Sequence, residues 1–100
     1  MIRATAIELI SAPDTAGIFE TVTATTRRVF AEVRSPSSRE FYTAHEQGLE
    51  PTFVFILADY AEYKGEQYVD YNGARYRVIR TYENGQKIEI TVERSKVVTL

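Results

Sequence analysis

The chain has no cysteine and no tryptophan, and it carries a single methionine and a single histidine. Without cysteine there is no disulfide, no thiolate nucleophile and no zinc–thiolate site. Five glycines are scattered along the chain, too dispersed to build a phosphate-cradling loop, and no HExxH or GxSxG pattern occurs. No apolar stretch approaches the length of a membrane span, and the first residues lack the continuous apolar core of a secretion signal. A surplus of one charge is missing too: 12 basic and 14 acidic side chains leave a net charge of −2. General nucleic-acid affinity needs an excess of Lys and Arg on one face, so it is not expected. These absences point away from an enzyme, a cofactor, a metal site or a membrane partner. The expected setting is the cytoplasm, or a particle assembled there.

What is present favours strands. Seven Tyr and five Phe accompany frequent Thr and Val, and such residues suit a pleated, half-buried surface. One hundred residues, 44% of them apolar, match one domain over 1–100 with one core of modest stability. Two Asn-Gly pairs, Asn72-Gly73 and Asn84-Gly85, punctuate the last third. Asn-Gly marks a type I′ hairpin turn, because both central residues need positive φ. Tyr68 to Tyr71, Ala74 to Tyr82 and Lys87 to Arg94 therefore read as an antiparallel meander. In its last strand Ile88, Ile90 and Val92 alternate with Glu89, Thr91 and Glu93.

Upstream, Ile2 to Ile10 reads as a strand with Ile7 and Leu9 on one face, and Ser11 to Gly17 reads as a loop. Phe19 to Val33 reads as extended, with Arg27, Val29, Ala31 and Val33 inward and Arg28, Phe30, Glu32 and Arg34 outward. Thr21 to Thr26 is part of that strand or a separate arm. Pro36 ends the strand. Ser37 and Glu40 have capping-box spacing, Gly48 is placed as a C-terminal cap and Pro51 follows. The one helix is therefore expected at Ser38 to Gln47, and it is too short to stand alone in water. Thr52 to Tyr60 holds the run Phe53, Val54, Phe55, Ile56 and Leu57, which implies burial on both faces. The expected fold is mainly β: a small antiparallel barrel or curled sheet of about six strands with one short mid-chain helix.

Few residues invite chemistry. His45 has Glu46 and Glu50 nearby in sequence, yet no Ser or Cys motif accompanies them, and a partly exposed helix residue is the expected reading. The pairs Glu89/Glu93 and Asp59/Glu62 need a cleft before they can do acid–base work, and solvated strand faces ordinarily carry such residues. Arg75, Arg77 and Arg80 lie among Tyr71, Tyr76 and Tyr82. Such a mixture is able to bind single-stranded nucleic acid by stacking and phosphate contact. Arg75 and Arg77 share one face, with Tyr76, Val78, Arg80 and Tyr82 on the other, and cross-strand pairing with acids such as Glu89 explains the two arginines at less cost. Phe30 has two readings: a core layer beneath the helix with Phe41 as partner, or an exposed anchor for another protein.

Three stretches together resemble the phage head–tail joining family, whose members are also called head–tail adaptor, head-closure or stopper proteins. They are Arg27 to Ser35; Glu40-Phe41-Tyr42-Thr43-Ala44 followed by Gly48-Leu49-Glu50-Pro51 and the strand from Phe53; and Tyr71-Asn72-Gly73-Ala74-Arg75-Tyr76-Arg77-Val78. The similarity runs in order over about residues 25 to 95. It implies a small β-barrel with a mid-chain insertion near 37–48 and a place in the virion of a phage or prophage. Such proteins stack as a ring between the portal or adaptor and the tail, enclosing DNA without reading its sequence. In some members the insertion gates the channel; here Pro36 to Glu50 reads as a capped helix, which suits packing or subunit bridging better. A ring needs two complementary side surfaces, and Ile2 to Ile10 or Thr21 to Thr26 could serve as pairing arms. The residues expected at subunit or partner contacts are Phe30, Arg34, Arg39, Phe41 and Tyr42. The alternative is a small single-stranded nucleic-acid-binding barrel using Arg75, Arg77, Tyr71 and Tyr76.

Overall fold

A computed structural model of the chain describes residues 4–11 and 25–95. The order of elements is β1 (Ala4–Ser11), β2 (Thr25–Arg34), α1 (Ser38–His45), β3 (Pro51–Leu57), a 3-10 turn (Tyr60–Glu62), β4 (Tyr68–Tyr71), β5 (Ala74–Asn84) and β6 (Lys87–Arg94). The strands close into an antiparallel barrel in the order β1-β2-β3-β6-β5-β4. The β-rich fold with one short helix is thus as the sequence leads one to expect.

Alternation builds the core. Ile7 and Leu9, Val29 and Ala31, Phe55 and Leu57, Val69, Tyr76, and Ile88, Ile90 and Val92 form one buried cluster. Successive strand residues point to opposite faces, so each of these runs delivers one row inward. The barrel is filled, not hollow. Towards one end, Phe53 packs edge-on to Tyr71 and Tyr76 at 5.4 Å, and Phe55 to Tyr71 at 5.3 Å. At the other end Arg27 holds the inward phase, as its register with Val29 requires. Its charge is met by Glu66, which is 4% exposed and bonded to Arg27 Nε at 2.9 Å and to the Lys64 N–H at 2.8 Å. Burial works against the Glu66 charge, but these donors outweigh it and leave the carboxyl below its ordinary value.

Several boundaries move for identifiable reasons. β1 pairs with β2 along its length and with β4 through Glu8, Leu9 and Ile10. It is a barrel strand, not a free arm. Residues 2, 12–17 and 19–24, expected as strand start, loop and extended arm, lie outside the described residues. The strand from Pro51 stops at Leu57 because Asp59 turns the chain, its Oδ1 accepting from the Ala61 N–H at 2.9 Å. The helix ends at His45, two residues before the expected Gln47, and a turn through Gly48 (φ +77°) follows.

The two Asn-Gly turns differ. Asn72 and Gly73 have φ of +52° and +83°, as a type I′ turn demands. In the second hairpin Asn84 pairs with Lys87, so the turn residues are Gly85 and Gln86, and Gly85 alone has positive φ, at +64°. That is the requirement of a II′-like turn, displaced by one residue from the Asn-Gly pair.

A bulge corrects the middle hairpin strand. Val78 pairs with Val92 but Arg80 with Thr91, leaving Ile79 as the extra residue. One extra residue shifts the alternation. Arg80 and Tyr82 therefore lie on the outer side with Thr91 and Glu89, and not with Tyr76 on the inner one.

Truncating Phe55 removes a fully buried ring, so Phe55→Ala should cost about 3–5 kcal/mol in urea unfolding. Phe30→Ala, at an exposed site, should fall within about 0.5 kcal/mol. Equal costs at the two positions would contradict the assignment of inner and outer faces.

Candidate interaction surface

The outer face of β2, β3, β6 and β5 carries two rows across the strands. One runs Arg34, Val54, Thr91, Arg80, and the next runs Glu32, Ile56, Glu89, Tyr82. Val54 and Thr91 point away from the core yet are buried, because α1 packs across β3. This is the second covering layer that the apolar run of β3 implied. An eight-residue helix is about 12 Å long, whereas an eight-residue strand such as β6 spans about 27 Å. The helix covers Val54 and Thr91 of the first row, while Arg80 in that row stays exposed and the second row is half-buried to exposed.

Local chemistry fixes α1 in place. Ser37 and Glu40 form the expected reciprocal capping box: the Glu40 N–H donates to Ser37 Oγ at 3.2 Å and the Ser37 N–H to Glu40 Oε1 at 2.9 Å. Arg34, at the end of β2, then joins the helix to the sheet. Its Nη1 meets Glu40 at 3.0 Å and its Nη2 meets Glu89 on β6 at 2.9 Å. The Arg34 guanidinium, with the Ser37 donors and against a burial penalty, holds the Glu40 carboxyl at about 2, far below its ordinary 4.5. Arg34, expected at a subunit contact, has its guanidinium bonded within the chain to two carboxylates.

The other expected contact residues are open. Phe30 is 62% exposed and Tyr42 66%. Phe41 is 40% exposed, stacked flat on His45 with ring centroids 5.8 Å apart and edge-on to Tyr42 at 6.0 Å. Arg39 is exposed and makes no ion pair with another described residue. The core reading of Phe30 is therefore excluded. It lines an open groove of about 450 Å³ beside Val29, Ile56 and Ala58, distinct from the helix surface that bears Phe41 and Tyr42. Ile56 belongs to the apolar run of β3 and Ala58 follows its end; nothing in their spacing shows that the helix stops short of them.

The remaining candidates are structural. Arg75 pairs with Asp70 at 2.8 Å and Arg77 with Glu93. Neither meets Glu89, which faces Arg34. Glu93 is buried, not solvated, and it also accepts the Glu50 N–H at 3.1 Å. Asp59 is occupied by Ala61 and by Gln86 Nε2 at 3.0 Å. Tyr76 is buried and Tyr71 sits in the aromatic cluster, so these two rings are not a platform for stacking bases. Among the described residues no cluster of His, Asp and Glu is placed to hold a metal ion. No helix of the described residues is long and apolar enough to cross a membrane. No family model matches the chain, and no curated protein matches it.

The staple has a pH signature. Because the folded Glu40 pKa lies below the unfolded one, its stabilisation is complete above about 4.5 and is lost as pH falls towards about 2. Arg34→Met should cost about 1–2 kcal/mol, and in a carboxyl NMR titration the Glu40 midpoint should move up towards 4.5. An unchanged Glu40 midpoint in that variant would contradict the staple.

Proposed function

We propose that this chain is a non-catalytic structural barrel that assembles with copies of itself into a ring, in the head–tail connector of a phage or prophage particle. The observation that carries the reading is the pairing of a filled interior with large aromatics on two separate outer surfaces, Phe30 on the sheet and Phe41 with Tyr42 on the helix. Exposed Phe and Tyr beside an apolar groove or on an outward helix face suit anchors between proteins. Two different surfaces on one copy suit a head-to-tail contact, the type that closes into rings when the rotation is right. The ordered similarity over about residues 25 to 95 supplies the setting. A net charge of −2 suits a ring through which DNA must pass, because tight phosphate binding would oppose passage. The helix serves as a docked bridging element in this reading, not as a gate.

Sedimentation velocity and electron microscopy test it. The wild-type protein should form closed rings as concentration rises, while Phe30→Ala and Phe41→Ala should stay monomeric with an unchanged circular dichroism spectrum. A wild type that remains monomeric would overturn the self-assembly reading, and one that binds single-stranded DNA with strong salt dependence would favour the nucleic-acid alternative.

A further inference from the structure

We propose that the open half of the sheet is the seat for α1 of a second copy, each molecule placing its Tyr42 side into the Phe30 groove of the next. The proposal rests on the self-assembly reading and names its contact. The helix uses Ala44 and Glu40 against its own barrel. At about 100° per residue the opposite side is centred on Tyr42, flanked by Phe41 and His45 on one side and by Arg39 and Glu46 on the other. That side points away from its own groove, so only another molecule can bring the two together.

Charge matches across the proposed contact. Glu32 and Glu62 stand at the groove with Arg28 and Lys87. These four side chains, and those of Arg39 and Glu46, make no ion pair or side-chain hydrogen bond with another described residue. By contrast Arg27, Arg34, Arg75 and Arg77 are each satisfied within the chain. Arg39 of an incoming helix has an acidic partner waiting at Glu32 or Glu62, and Glu46 a basic one at Arg28 or Lys87. The apolar floor of Phe30, Ile56 and Ala58 receives the Tyr42 and Phe41 rings.

Groove and helix are different surfaces, so each copy offers one of each and the contact propagates. This gives a mixing test. Phe30→Asp disables the groove and leaves the helix; Tyr42→Asp does the reverse. Both positions are exposed, and circular dichroism verifies folding. Each variant alone should be monomeric under conditions where the wild type assembles. An equimolar mixture should form a one-to-one dimer and nothing larger, because one intact contact remains. Arg39→Glu, which touches no core residue, should behave as a second helix-side variant and also dimerise with Phe30→Asp. If the wild type assembles but the mixtures stay monomeric, this contact is wrong and self-assembly stands. If the wild type never assembles, the self-assembly reading falls with it.

Discussion

A helix of eight residues cannot cover a sheet face more than twice its length, and the rest of the molecule's surface chemistry follows from that mismatch. Where α1 lies, outward-facing Val54 and Thr91 are as dry as the core. One row further along, Ile56 and Phe30 face a groove instead. Arg34 makes the division permanent, since a guanidinium bonded to carboxylates on both the helix and β6 leaves the helix little freedom to slide. The Ser37 and Glu40 capping box fixes where the helix begins, and therefore which row it can reach.

The interior explains why function must be sought outside. A hollow barrel holds a ligand; this one is filled by interleaved side chains from every strand. Its charged groups near the core are matched in place, Arg27 to Glu66 at one end and Arg77 to Glu93 on the wall. Such pairs give the barrel register and solubility. They do not poise a proton or bind a metal, because each carboxylate already has its donor. What remains chemically unspent is the set of exposed rings and unmatched charges on the outer face.

Much of this was legible in the residues. Period-two alternation placed Ile7, Leu9, Val29, Ala31 and the β6 row in the core, and capping chemistry placed α1 to within two residues. Three features were not legible. The Ile79 bulge has no compositional mark, yet it moves Arg80 and Tyr82 to the other face. The second hairpin carries the same Asn-Gly pair as the first but turns one residue later, because pairing of Asn84 with Lys87 decides the turn. Arg34 alternates in phase with Phe30 and so looked like a surface anchor. Its partners lie 6 and 55 residues away in the chain, and only the strand order β2-β3-β6 brings Glu89 near it. The residues left Phe30 with a core reading and an exposed one, and the fold selects the exposed one; the groove that joins Phe30 to Ile56 and Ala58 depends on how far the helix reaches.

The most direct measurement is amide hydrogen exchange by mass spectrometry, comparing dilute protein with the assembled state. If the uncovered sheet face and the outer side of α1 are the contact, the peptides around Phe30 in β2 and around Tyr42 in α1 gain protection together on assembly. Strand β4, which borders neither the groove nor the helix, stays unchanged. Assembly that protects β4 while leaving Phe30 and Tyr42 as open as in the dilute protein would contradict the account.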